Sequence, residues 1–309
     1  LGCDRAMGGR LMTQEKTSLH GLNGVLTGGL LIGFSGIFTK WAEQGGVGNL
    51  GVGFYRMLFA LPFIYLLGLK DPYPEVKTSY RWAWLAGAIF AVDLSIWHAS
   101  LHYTTAANST LLIGLAPCWV MLIEFFVKGK RPHALAFMGI VFAFTGAALL
   151  AFSKGARFGL GYGEILASVA SMAYAVFMLT MNETRKFLSA RRALLHVSLS
   201  SMVVFGAIGL LLGESFTTFT PHAWKSLLGL GLVVQFLGWW AISWGMGHIS
   251  SALSSIGLLI QPLATIVIGW WLLGENLKPL HALGAVFILL GIALGSRAPQ
   301  KDASIPTRE

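Results

Sequence analysis

Charge is what this chain has least of. Of its 309 residues only 11% are Asp, Glu, Lys or Arg, against roughly 25% in ordinary soluble domains. Cysteine is scarcer still. Cys3 and Cys118 are the whole complement, too few for a disulfide framework or a thiolate metal cluster. Residues 1–19 lack an apolar core, so no cleaved signal is read there. The opening LGCDRAMGGRL is an unusual start, and the native chain is expected to begin near Met12. A nucleotide-driven pump would need a Walker A loop. The GKR at 129–131 has neither its glycine frame nor its Ser or Thr, and GLGYG at 159–163 lacks a strand–helix setting. No HExxH and no paired-acid motif is present, which argues against an intramembrane enzyme. No catalytic residue, metal site or cofactor is assigned.

Apolar residues are what the chain has in abundance. They make up 55% of it, the mean hydropathy is +0.68, and they are spread along its whole length, the pattern of an integral membrane protein. The net charge of +9 does not imply nucleic acid as a partner. The Lys and Arg residues sit in short loops between apolar runs, as in membrane proteins generally. The 38 glycines suit close helix approach, and residues 24–36 contain two GxxxG pairs, Gly24/Gly28 and Gly29/Gly33.

A membrane helix needs about 20 mostly apolar residues. Ten segments qualify, at about 22–42, 48–68, 82–101, 104–126, 133–152, 160–181, 193–213, 224–246, 250–273 and 280–296. Of the 22 Lys and Arg residues, sixteen fall on the side of the two termini and five on the other, with Arg56 inside a span. Both termini are therefore expected in the cytoplasm. The expected location is the plasma (inner) membrane, multi-pass, with the lipid bilayer as the chain's main partner. Nothing in the sequence fixes an oligomeric state, and a monomer is compatible with it.

The chain also repeats itself. Residues 106–150 lie on 251–295 without a gap, at an offset of 145. Pro117 falls on Pro262, Gly129 on Gly274, Gly139 on Gly284, Phe142 on Phe287 and Gly146 on Gly291. Each half holds five spans, an odd number, so the second enters the membrane inverted. The expected fold is all-α, ten transmembrane helices in two inverted five-helix repeats, at residues 20–153 and 154–297 between cytoplasmic tails 1–19 and 298–309. Inverted repeats of this kind build secondary transporters, with the site near mid-membrane between them. A channel or a sensor is the less favoured alternative.

Several stretches carry a resemblance. They are GFYRMLFALPFI around Arg56, STLLIGLAPCWVMLIEFFVKGKRP in span four, SMAYAVFML in span six, and SSALSSIGLLIQPLATIVIGWWLLGENL followed by HALGAVFILLGIAL at the end. In order and spacing over residues 20–297 the chain resembles the drug/metabolite transporter superfamily, in its EamA type with two tandem repeats. It departs in span one, where Phe34-Ser35-Gly36 stands in place of the usual Trp-Gly. The resemblance implies export of small metabolites, often amino acids, by alternating access. It places spans one, three, four, six, eight and nine around a central cavity. Among members the chain is most similar to bacterial exporters of aromatic amino acids. A proton-coupled exporter of drugs or other metabolites is the alternative on the same fold.

Polar residues within spans are the candidates for the site. Arg56 and Asp93 each lie about eight residues from the same membrane face, roughly 12 Å deep at 1.5 Å per residue. An unpaired charge there costs at least ~2.5 kcal/mol, so they are expected to pair or to face a water-filled cavity. As a pair they would be structural; at a cavity they would gate or meet a charged substrate. Trp97 shares the Asp93 face one turn on, and His98 is a candidate proton carrier or a packing residue. Gln235, Trp239 and Trp240 in span eight, Tyr174 in span six, Ser109 in span four and Gln261 in span nine complete the expected substrate contacts. An aromatic wall with few polar groups suits an apolar or aromatic cargo. Pro117 and Pro262 are expected to bend their helices and free the carbonyls of Ile113 and Leu258. Ala116 occupies the place of Gln261 in the first half, so the proline reads as architecture and the glutamine as a substrate contact.

Overall fold

A computed structural model describes residues 19–68, 80–104, 106–129, 131–153, 155, 161–274 and 276–299. Cys3, the expected start near Met12, and many of the tail and loop cations counted for orientation lie outside the described residues. All regular structure among the described residues is helical, and it makes ten crossings. They are α1 (Leu19–Gln44), α2 (Asn49–Gly68), α3 (Tyr80–Leu101), α4 (Ala106–Ile113, continued by Ala116–Lys128), α5 (Ala134–Ser153), α6 (Tyr162–Arg185), α7 (Ala190–Leu211), α8 (Pro221–Met246), α9 (Ser251–Gly257, continued by Ile260–Leu273) and α10 (Pro279–Ser296). Large apolar side chains such as Phe126, Leu211, Val286 and Leu289 point outward, which is stable only against lipid.

Helix ends follow local chemistry. The hydroxyls of Ser189, Thr220 and Ser250 accept from backbone N–H groups three residues on, at 3.3, 3.3 and 3.2 Å, and start α7, α8 and α9. Gly129 and Gly274 stop α4 and α9 with φ of 63° and 65°. Each donates its N–H back into the last turn, to Glu124 and Gly269, and this left-handed conformation is readily adopted only without a Cβ. The two glycines are repeat mates at the offset of 145. One expectation shifts here: α6 runs to Arg185, beyond the expected end near residue 181, and Arg185 is buried at 7% exposure. Its Nε donates to the Ser243 carbonyl at 2.6 Å, so this cation caps backbone groups of α8 instead of lying in a loop.

The halves interleave. The most extensive helix pairs are α5 with α10, α3 with α6, α2 with α7 and α3 with α7, and each joins one half to the other. Exchanging halves maps α3–α6 onto α8–α1 and α3–α7 onto α8–α2, and both mates are present. On the pseudo-twofold axis the repeat mates face each other. Phe142 stacks on Phe287 with centroids 5.7 Å apart. A Cβ at Gly146 would come within 2.5 Å of the Gly284 carbonyl, and one at Gly291 within 2.6 Å of the Gly139 carbonyl. The GxxxG pairs of α1 serve two neighbours: Gly24 and Gly28 lie against α8, Gly29 and Gly33 against α9.

Because the nearest atoms opposing Gly146 and Gly291 are backbone, no rotamer change relieves a side chain there. Gly146→Val and Gly291→Val are each expected to cost about 1–3 kcal/mol or more, read as a lowered thermal midpoint in detergent. A wild-type midpoint in both variants would sink this account of the axis.

Candidate functional site

Three helices are interrupted at mid-depth: α1 at Gly33–Phe34, α4 at Gly114–Leu115 and α9 at Leu258–Leu259. Interrupting a helix in a membrane strands carbonyls, and each must find a donor. The Ile113 carbonyl, freed by Pro117, accepts from Ser171 Oγ of α6 at 3.4 Å. The Leu258 carbonyl, freed by Pro262, accepts instead from the Gln261 N–H at 3.0 Å. The Gly33 carbonyl accepts from Thr265 Oγ1 of α9 at 3.3 Å. The breaks of α4 and α1 are thus tied to neighbouring helices, and that of α9 is closed within its own.

A cavity of about 160 Å³ opens where the breaks meet. Ile32, Ser35 and Gly36 of α1 line it, with Ile113, Gly114, Ala116 and Pro117 of α4. From α9 come Ser255, Leu258, Leu259, Gln261, Pro262 and Thr265. Phe90, Asp93, Leu94 and Trp97 of α3 form one wall, and Tyr174 of α6, Trp239 of α8 and Arg56 of α2 close it. All six spans implied by the resemblance contribute, α1 included despite its Phe-Ser-Gly. Arg56 adds a seventh helix, α2.

The wall is aromatic and stacked from behind. Trp239 lies edge-on to Phe90, at 4.9 Å, and to Phe177, at 5.2 Å. The indole Nε1 of Trp97, that of Trp239, and Asp93 Oδ1 are buried without any hydrogen-bond partner. An unsatisfied buried polar group costs about 1–3 kcal/mol. Three of them lie around this one cavity; His98 Nδ1, Trp119 Nε1 and Ser254 Oγ are also buried without a partner, away from its lining.

Arg56 and Asp93 both line this cavity, and both are buried at 5% and 3% exposure. They do not form the ion pair that was one of the two expectations: nitrogen and oxygen stay more than 4.0 Å apart. The reason is a competing acceptor. Arg56 Nε donates to Gln235 Oε1 at 2.9 Å, and the guanidinium lies 5.7 Å from the Phe90 ring centroid.

Four expected contacts lie elsewhere. Gln235 is 0% exposed and holds Arg56 from behind; the π-helical run Leu230–Gly238 sets where it faces. Trp240 is half-buried on the other side of α8 from Trp239 and packs against the core. Ser109 is fully buried and shares a 2.8 Å hydrogen bond with Ser100, stapling the start of α4 to α3. His98 is buried beside Trp97, with ring centroids 5.1 Å apart, and does not reach the cavity. Asp93, Trp97, Tyr174, Trp239 and Gln261 are brought together, with Arg56, Pro117 and Pro262. Sequence reasoning missed Ser35, Phe90 and Thr265. Phe90 was accessible to it, one turn before Asp93 on the same face.

The sequence profile of the EamA-like transporter family matches residues 19–152 and 161–297. The chain belongs to that family. An uncharacterized transporter of Archaeoglobus fulgidus is 23% identical over 90% of this EamA-type chain and 97% of its own. The transporter YwfM of Bacillus subtilis is 26% identical over 72% of this chain and 76% of its own. A protein of Streptantibioticus cattleyicolor named probable terminal-alkyne amino-acid exporter is 29% identical over 67% and 70%. A solved crystal structure superposes with a TM-score of 0.74 over 90% of this chain and 96% of that one, at 16% identity, so the fold is shared. The EamA-type chain is a multi-pass membrane transporter.

Because Asp93 has no partner to lose, Asp93→Asn is expected to keep the thermal midpoint within about 1 kcal/mol of wild type, or to raise it, since a buried charge is removed. A clear drop would show that Asp93 holds the fold together after all.

Proposed function

We propose that this EamA-type chain exports amino acids with apolar or aromatic side chains, by alternating access through the cavity between its inverted halves. One observation carries the reading. A cation, Arg56, and a carboxylate, Asp93, line the same buried cavity without neutralising each other. A zwitterion fits such a pair, its carboxylate toward Arg56 and its ammonium toward Asp93. The aromatic wall of Phe90, Trp97, Tyr174 and Trp239 receives the side chain. Gln261, with no mate in the first half, supplies a polar contact on one side only. The relative named as an amino-acid exporter supports both the substrate class and the direction.

In this reading both termini are cytoplasmic, the membrane is the plasma membrane, and one chain forms a complete cavity. The three interrupted helices supply the hinges, since a broken backbone bends where a continuous one resists. Pro117 and Pro262 keep the two breaks in place, and Arg56 and Asp93 order the substrate.

Counterflow of labelled amino acids in proteoliposomes, with and without a pH gradient, tests this. Saturable counterflow of apolar or aromatic amino acids is expected. Asp93→Asn and Arg56→Gln are expected to lower it by about tenfold or more while the protein stays folded. Gln261→Ala is expected to change selectivity across the panel more than maximal rate. Absence of saturable counterflow for every amino acid would end the proposal, and a rate that follows the pH gradient would mark the carrier as proton-coupled.

A further inference from the structure

Arg56 is held by a relay of neutral groups. Its Nε donates to Gln235 Oε1 at 2.9 Å, and Gln235 Nε2 donates in turn to Ser198 Oγ at 3.2 Å. Gln235 and Ser198 are both 0% exposed, and neither lines the cavity. The amide cannot be turned around. Arg offers only donors, so the oxygen must face Arg56 and the NH2 must face the hydroxyl. Three helices are thereby linked: α2 by Arg56, α8 by Gln235 and α7 by Ser198.

Local backbone brings the glutamine there. Leu230–Gly238 is π-helical, and a π turn rotates the following side chains relative to a regular helix, a feature frequent at functional sites. In the same segment Gly231 faces Phe59 and Ala60 of α2, where a Cβ would come within 2.6 Å of Phe59 Cβ. α8 therefore lies close against α2 one turn from Arg56, within reach of a Gln side chain.

We infer that Gln235, braced by Ser198, is a positioning residue that holds the Arg56 guanidinium at the cavity wall, apart from Asp93, without cancelling its charge. This rests on the reading of Arg56 as the partner of a substrate carboxylate. A neutral acceptor is what the task demands. A carboxylate at 235 would pair with Arg56 and remove the charge that the substrate reads. An apolar residue would release Arg56, and Asp93 would then be the strongest acceptor in the cavity. Either change disables carboxylate recognition while leaving the aromatic wall in place.

The test uses the full chain in proteoliposomes, with L-phenylalanine as transported probe and phenethylamine, the same molecule without its carboxylate, as competitor. Gln235→Glu and Gln235→Leu are each expected to raise the KM for phenylalanine by about tenfold or more, with a smaller change in kcat, and to leave inhibition by phenethylamine at least as tight. Ser198→Ala, which removes only the brace, is expected to shift the same ratio by a smaller factor and serves if a Gln235 variant does not fold. A merely structural role would weaken both ligands together. Wild-type selectivity in these variants, alongside a selective loss of phenylalanine in Arg56→Gln, overturns the bracket alone. No transport of phenylalanine by the wild type, or an Arg56→Gln variant with unchanged selectivity, overturns the carboxylate reading and the bracket with it.

Discussion

A polar group inside hydrocarbon has no water to fall back on, and the architecture here follows from that constraint. Continuous helices satisfy their own backbones. At each interruption a donor is found: Ser171 of α6 for Ile113, Thr265 of α9 for Gly33, and for Leu258 the Gln261 amide of its own helix. The same rule explains buried Arg185, which donates to the Ser243 carbonyl of α8, and Glu214, whose carboxylate accepts from the Leu50 and Gly51 amides at the start of α2 at 3.3 and 2.7 Å. Most of these bonds cross from one half of the chain to the other. Satisfying the backbone and assembling the two repeats are therefore one process.

Duplication explains what is shared, and divergence shows what is used. Glycines and phenylalanines that align at the offset of 145 meet on the pseudo-twofold axis, where backbone contact tolerates no side chain. The helix stops at Gly129 and Gly274 and the breaks beside Pro117 and Pro262 are likewise inherited twice. The polar lining is not. Gln261 faces Ala116 across the repeat, and Arg56, Asp93 and Tyr174 come from different positions in the two halves. A symmetric shell around an asymmetric lining gives both halves similar hinges while letting the cavity read a ligand that has two unlike ends.

Much of this was legible in the sequence, for reasons that also mark the limit. Apolar length gives the ten crossings, and aligned Pro and Gly give the inversion, because both residues constrain backbone directly. Depth alone put Arg56 and Asp93 at a common level, and helical spacing put Trp97 on the Asp93 face one turn on. Depth could not say that Arg56 prefers Gln235 to Asp93, since that choice depends on a third helix approaching α2 at Gly231. Gln235, Trp239 and Trp240 stand out in the sequence for their depth and chemistry, and depth does not say which side of α8 faces the cavity. Only Trp239 is there. Ser109 and His98 failed differently: both are polar and buried, but each is spent within its own neighbourhood, Ser109 on Ser100 and His98 against Trp97. Burial of a polar group is a weak pointer to a site. Burial without a partner points to a site only where the group also lines a cavity, as Asp93 and Trp97 do and His98, whose Nδ1 has no partner either, does not.

That distinction bears on how a carrier holds its energy. Elsewhere among the described residues many buried polar groups are paired, though His98 Nδ1, Trp119 Nε1 and Ser254 Oγ are buried without a partner away from the cavity lining. Around the cavity, Asp93 Oδ1 and the Trp97 and Trp239 indole nitrogens are left wanting. Each such group costs about 1–3 kcal/mol while empty, and the fold tolerates the cost because the interleaved halves are held by contacts that do not involve the cavity. A ligand that satisfies these groups recovers that cost as binding free energy. The neutral hold on Arg56 extends the same logic to charge. An Arg56–Asp93 ion pair would be the more comfortable empty state, and a ligand would then have to break it before binding. Keeping the two apart moves that cost from the binding step to the folding step, where ten packed helices can bear it.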